Sequence, residues 1–144
     1  MRVDFYHLTD DPVPAALARI AAKALGTGGR MMVVSDDAQQ RGALSDALWA
    51  AVGFLANGAV DEHGAAAQPV LIGESAAPAA NDAAFVALAD GRWRDEALEY
   101  SRTFYFFDAA TIDGARAAWR ALGERDGVAR HYWKQVGGRW VEGP

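Results

Sequence analysis

Two β-forming segments, each followed by a helix-forming one, open this chain, and that alternation limits its fold more than any other feature. Val3-Asp4-Phe5-Tyr6-His7-Leu8 is rich in β-formers and runs into Thr9-Asp10-Asp11-Pro12, a strand and then a turn. Pro14 suits the first turn of a helix, in which Val13, Leu17, Ile20, Ala21 and Ala24 recur at helical spacing. Gly26-Thr27-Gly28-Gly29 ends it. Arg30-Met31-Met32-Val33-Val34 is almost wholly apolar, as a strand covered on both faces must be. Ser35-Asp36-Asp37 supplies N-cap side chains for a helix to about Ala51, anchored by Leu44, Leu48 and Trp49. Strand, helix, strand, helix is the start of a parallel sheet with crossovers.

The rest of the chain extends that plan. Gly53 to Gln68 reads as a long loop, Val70-Leu71-Ile72 as a buried strand, and Glu74 to Asn81 as loop again. Phe85 to Leu88 and Tyr100 to Phe107 read as two more strands. Asp108 or Thr111 caps a last helix, about Ala110 to Arg125. Ala129 to Gln135 and Arg139 to Glu142 form a hairpin around Val136-Gly137-Gly138, with aromatic pairs expected across it. The expected fold is α/β: a Rossmann-like three-layer sandwich, its mostly parallel central sheet covered by helices on both faces, with a C-terminal β-hairpin. At 144 residues, one domain covering 1–144 is expected. There is no cysteine, which removes disulfides, thiolate metal sites and a Cys nucleophile and fits a reducing cytosol. The N-terminus has no signal-peptide pattern, and no apolar run is long enough to cross a bilayer, so a cytoplasmic protein is expected.

Charge is distributed unevenly. Between Arg116 and Arg139 six cations face only Glu124 and Asp126, a net of +4 in a chain of −5, so the remainder carries −9. Trp119, Tyr132 and Trp133 are interleaved with those cations, and Trp140 follows. Guanidinium groups beside aromatic rings suit a partner offering a carboxylate together with an apolar side chain. The plainer reading is a solvated helix face followed by an edge strand. A negative protein with one local basic patch does not fit bulk nucleic-acid binding, because its field repels phosphate elsewhere.

The equipment of common α/β enzymes is missing. A dinucleotide fold needs a glycine loop between its first strand and first helix. Here that turn has two carboxylates, two prolines and no glycine. His7, His63 and His131 lie in separate elements without ligand spacing, so no metal is expected. No serine stands in a nucleophile-elbow context. Asp61 and Glu62 beside His63 read as a solvated loop more readily than as an acid–base pair. No catalytic residue and no cofactor is assigned.

The order of these elements resembles the chi subunit of bacterial DNA polymerase III holoenzyme over nearly the full length. The likeness starts with the Val3 to Leu8 strand and its aromatic pair and continues through Arg30 to Val34. Leu44-Ser45-Asp46-Ala47-Leu48-Trp49 is similar to the family's L-x-x-L-W helix and is its most specific element. Phe54-Leu55 with Asn57-Gly58, Pro69 to Ile72, Phe85 to Leu88, Phe104 to Asp108 and Ala115 to Arg120 complete it.

The resemblance implies a non-catalytic connector in the clamp-loader complex, without direct sequence-specific nucleic-acid binding. One surface of such a protein takes the psi subunit. Another takes the C-terminal tail of single-stranded-DNA-binding protein (SSB), which is acidic and ends in a Phe with a free carboxylate. Carried onto this sequence, the tail site is Arg116, Trp119, Arg120 and Arg125, the last weakened by Glu124 and Asp126 beside it. Residues Ile112, Ala115, Trp119 and Leu122 make the stripe expected to face the sheet, with Arg116 and Arg120 along its border. The psi surface falls on Trp49, Phe54 and Leu55, which equally suit a small core beneath the loop. Two other readings stay open: a small α/β enzyme or nucleotide-binding domain with a non-standard site, and single-stranded DNA binding through the aromatic-basic C-terminus.

Overall fold

The computed structural model describes residues 1–51 and 53–143. Its strands are β1 (Arg2–His7), β2 (Met31–Val34), β3 (Asn57–Ala59), β4 (Val70–Gly73), β5 (Phe85–Leu88), β6 (Arg102–Phe107), β7 (Ala129–Val136) and β8 (Arg139–Glu142). Its helices are α1 (Val13–Leu25), α2 (Ala38–Ala50) and α3 (Ile112–Gly123). They build one sheet in the order β3-β4-β2-β5-β6-β1-β7-β8. Every neighbouring pair is parallel except β7 with β8, which form the C-terminal hairpin.

Period-two alternation sorts the strand side chains between two cores. Tyr6, Met31, Val33, Phe104 and Phe106 pack under α1 and α2, against Leu17, Ile20, Leu44 and Leu48. Phe5, Met32, Val34, Tyr105 and Phe107 face the other way, against Ala115, Ala118 and Leu122 of α3. Helices therefore cover both faces, giving the expected three layers. Asp37 caps α2 by accepting from the N–H groups of Gln39 and Gln40 at 2.9 and 3.3 Å. Before α3, Asp108 Oδ1 accepts from the N–H groups of Ala110 and Thr111.

Three expectations need adjustment. The stretch 53–68, read as loop, contains the edge strand β3 and a single 3₁₀ turn at Ala65–Ala67. Asn57 and Gly58 have poor β propensity, and β3 exists because it pairs with Val70 and Leu71. The strand expected from Tyr100 starts at Arg102, after a 3₁₀ segment at Asp95–Glu99. Trp49 was expected to anchor α2, but it remains 47% exposed while Leu44 and Leu48 are fully buried.

The hairpin is locked to the body of the fold. Gly137 and Gly138 both have positive φ, 57° and 78°, as its two-residue turn requires. Trp133 lies opposite Glu142 and Trp140 opposite Gln135, so the two indoles are not a direct cross-strand pair. Tyr6 joins them instead, stacking on Trp133 and meeting Trp140 edge-on at 5.0 Å between ring centroids. Beneath them the fully buried Asp4 carboxylate accepts from Trp133 Nε1 at 2.9 Å, Arg102 Nε at 2.8 Å and Arg2. Burial pushes the Asp4 pKa up, but these donors outweigh it and hold the carboxyl below the usual range.

Candidate functional site

Helix α3 brings its apolar stripe and its cations to the same border of the sheet. Ala115, Ala118 and Leu122 are buried, Ile112 and Trp119 are half-buried, and Arg116 and Arg120 are exposed one turn apart. A cleft of about 300 Å³ opens along that border. Its walls are Ile112, Ala115 and Trp119 from α3, Phe5 and Phe107 from β1 and β6, and Tyr132 from β7. Arg116 and Arg120 complete the lining. The rings form a network: Trp119 meets Phe5 edge-on at 5.1 Å and Tyr132 at 6.2 Å, centroid to centroid.

Trp119 is thus both a packed residue and a wall. The Arg130 guanidinium lies 4.1 Å from its ring centroid and also donates to the Trp119 carbonyl at 2.6 Å. Gly123 leaves room for this, since a Cβ there would approach the Arg130 guanidinium to 2.9 Å. Beyond the rings, His7 Nδ1 and the Tyr132 hydroxyl share a hydrogen bond of 2.8 Å. Burial lowers the His7 pKa, the charges of Lys134 and Arg116 lower it further, and Asp108 opposes them. Burial raises the Tyr132 pKa, against a smaller opposite pull from Arg116. Among the described residues no carboxylate pairs with Arg120, and Arg116 reaches only Asp113, at 3.8 Å. The arrangement can take up an apolar ring and leave two guanidinium groups for an anion.

Three of the four residues carried over for the tail site, Arg116, Trp119 and Arg120, line this one cleft. Arg125 lies beyond the end of α3, paired with Asp95 at 3.1 Å, and is not among the lining residues. Tyr132, Phe5 and Phe107 were missed as lining residues. Alternation along β7 carried the signal for Tyr132, because it puts Arg130 and Tyr132 on the α3 face and Trp133 on the other. On the far side of the molecule Trp49 and Phe54 are exposed, Phe54 by 74%, while Leu55 packs on the core beneath α1 and α2.

In open α/β sheets, ligands commonly bind beyond the carboxyl ends of the strands. Here the crevice at that edge is lined by three carboxylates, Asp37, Asp90 and Asp108. The N–H groups of Thr9, Asp10 and Asp11, in the turn after β1, all donate to Gln135 Oε1, at 3.1–3.2 Å. A phosphate would have to displace Gln135 and approach those acids.

Comparison with known families adds one finding. The family model described as DNA polymerase III chi subunit, HolC, matches residues 1–130. The chain belongs to the DNA polymerase III chi subunit family. No curated protein matches it. The match to the chi model spans β1 to α3 and stops just inside β7, so Tyr132, Trp133, Gln135 and Trp140 lie outside it. Chi is an accessory subunit of DNA polymerase III. Among the described residues, no helix of this chi-family chain is long and apolar enough to cross a membrane.

Proposed function

We propose that this chi-family protein is a non-catalytic adaptor in DNA replication, joining the clamp-loader end of DNA polymerase III to SSB in the cytoplasm. The observation that carries this reading is the α3 cleft, with aromatic and aliphatic walls and with Arg116 and Arg120 at its border. The terminal phenyl ring of the acidic SSB tail enters the cleft against Trp119 and Tyr132. Its free carboxylate takes paired N–H bonds from a guanidinium, and preceding acidic residues meet the second one. The psi subunit docks on the Trp49–Phe54 surface, with Leu55 supporting it from beneath.

Calorimetric titration of the purified protein with a peptide copying the SSB tail tests this reading. Binding of modest affinity is expected, weakening as salt is raised. The same peptide amidated at its C-terminus should bind about tenfold more weakly, because the terminal anion is lost. Equal binding of the two peptides overturns the site.

A further inference from the structure

On the face opposite the α3 cleft, two adjoining clefts form a continuous groove between α1 and the β7–β8 hairpin. They have volumes of about 410 and 680 Å³ and share Ile20, Lys23 and Trp140. Along α1 the groove runs from Ala18 to Ala24, about 9 Å at 1.5 Å per residue, and Thr27 extends it past the helix end. Five cations line it: Arg2, Arg19, Lys23, Arg102 and Arg139. They are five of the fourteen Lys and Arg residues in the chain, and no carboxylate is among the lining residues described. Three of these five cations already have an acid partner. Asp4 is buried beneath Arg2 and Arg102, Asp11 pairs with Arg19, and Glu142 pairs with His131. Lys23 and Arg139 are exposed and have no ion-pair partner among the described residues.

The half-buried rings of the lining are Phe85, Trp133 and Trp140, and Tyr6 and Phe104 lie buried beneath them. Arg102 lies over Phe104 at 4.5 Å, presenting a flat cation beside the rings. None of this shows in a linear charge count, because the cations come from β1, α1, β6 and β8. The groove therefore concentrates positive charge on a protein of net −5.

We propose that this groove binds a short stretch of single-stranded nucleic acid, without sequence preference. Cations spread along its length match a repeated phosphate, and flat rings and a stacked guanidinium give the bases a platform. An acidic peptide tail offers its aromatic ring and its carboxylate together at one end, which is the pattern of the α3 cleft. Here charge and rings are distributed along the whole length. The negative charge of the rest of the molecule keeps the affinity low. Binding in the range of about 10–100 μM at low ionic strength is expected, with strong salt dependence.

The test is fluorescence anisotropy of a labelled oligothymidylate of about ten nucleotides, titrated with the full chain at several salt concentrations. With two or three phosphates contacted, the log of the binding constant should fall against log salt with a slope of about −1.4 to −2.1. Lys23→Glu combined with Arg139→Glu changes two exposed side chains and should weaken binding about tenfold or more at unchanged melting temperature. Arg120→Glu, in the α3 cleft on the opposite face, should leave oligonucleotide binding intact, which separates this site from the tail site. No binding at low salt, or equal binding by the double variant, overturns the proposal. Displacement of the strand by an oligoglutamate of equal charge at the same concentration also overturns it, because the groove would then read charge alone.

Discussion

Gln135 and Asp11 hold each other through two reciprocal hydrogen bonds. Gln135 Nε2 donates to Asp11 Oδ2 at 2.8 Å, and the Asp11 N–H donates to Gln135 Oε1 at 3.2 Å. The same oxygen takes the N–H groups of Thr9 and Asp10, and the Thr9 hydroxyl donates to the Gln135 carbonyl. One buried amide from the hairpin thereby closes the turn in which dinucleotide-binding α/β folds hold a phosphate.

Gln135→Leu keeps the volume and removes the acceptor. Three backbone donors lose their partner, and water reaches them only in part, so a loss of about 2–4 kcal/mol is expected. Urea unfolding should show a lower midpoint with an unchanged slope. A midpoint within error of wild type would mean that the turn is held by other contacts.

Arg116, Arg120 and Arg125 are separable by position. The first two line the α3 cleft, and the third pairs with Asp95 outside it. Arg116→Ala and Arg120→Ala should each weaken binding of the SSB-tail peptide by about tenfold, less than a desolvated Arg–carboxylate contact would cost, because both side chains remain wet. Arg125→Ala should stay within about twofold of wild type, since an exposed pair contributes little. Calorimetric titration of all three against one peptide orders them, and an Arg125→Ala loss equal to the others would move the site toward the end of the helix.

Two groups give stability a pH dependence in separate windows. Burial, with Lys134 and Arg116 nearby, lowers the His7 pKa, so the unfolded chain binds this proton first. Stability therefore falls as pH drops below about 6.5, until the folded-state value is passed. The Asp4 carboxyl is also lowered, because its donors outweigh desolvation. Its stabilisation is present above about pH 4 and is lost as pH falls through the folded-state value. Melting curves from pH 8 to pH 3 should show both limbs. His7→Gln should remove the upper one, and Asp4→Asn should flatten the lower one while reducing stability throughout.

How far the sequence discloses this molecule follows from where the information resides. Apolar runs such as Met31–Val34 and periodic helices such as Val13–Leu25 carry their structure locally, so the parallel layers were readable. β3 was not, because Asn57-Gly58-Ala59 is a strand only through its neighbour β4. Arg116, Trp119 and Arg120 share one helical face and could be grouped from spacing alone. Tyr132 joins them because β7 lies beside β1 in parallel register, Phe5 against Tyr132, a relation separated by more than a hundred residues. The partner of Arg125, Asp95, and the stacking of Arg130 on Trp119 are likewise tertiary facts.

Phe54 has a backbone cost and no burial to offset it. Its φ is +49°, in the left-handed region that a bulky side chain rarely adopts, and it is 74% exposed. Strain of this kind costs on the order of 1 kcal/mol and is retained where a surface is used. Phe54→Asn replaces the ring with a residue that tolerates this conformation. Its melting temperature should equal or exceed that of wild type, with a gain of at most about 1 kcal/mol, while capture of a psi subunit in a pull-down falls sharply. A fall in stability of more than about 1 kcal/mol would show that Phe54 belongs to the core and not to a docking surface.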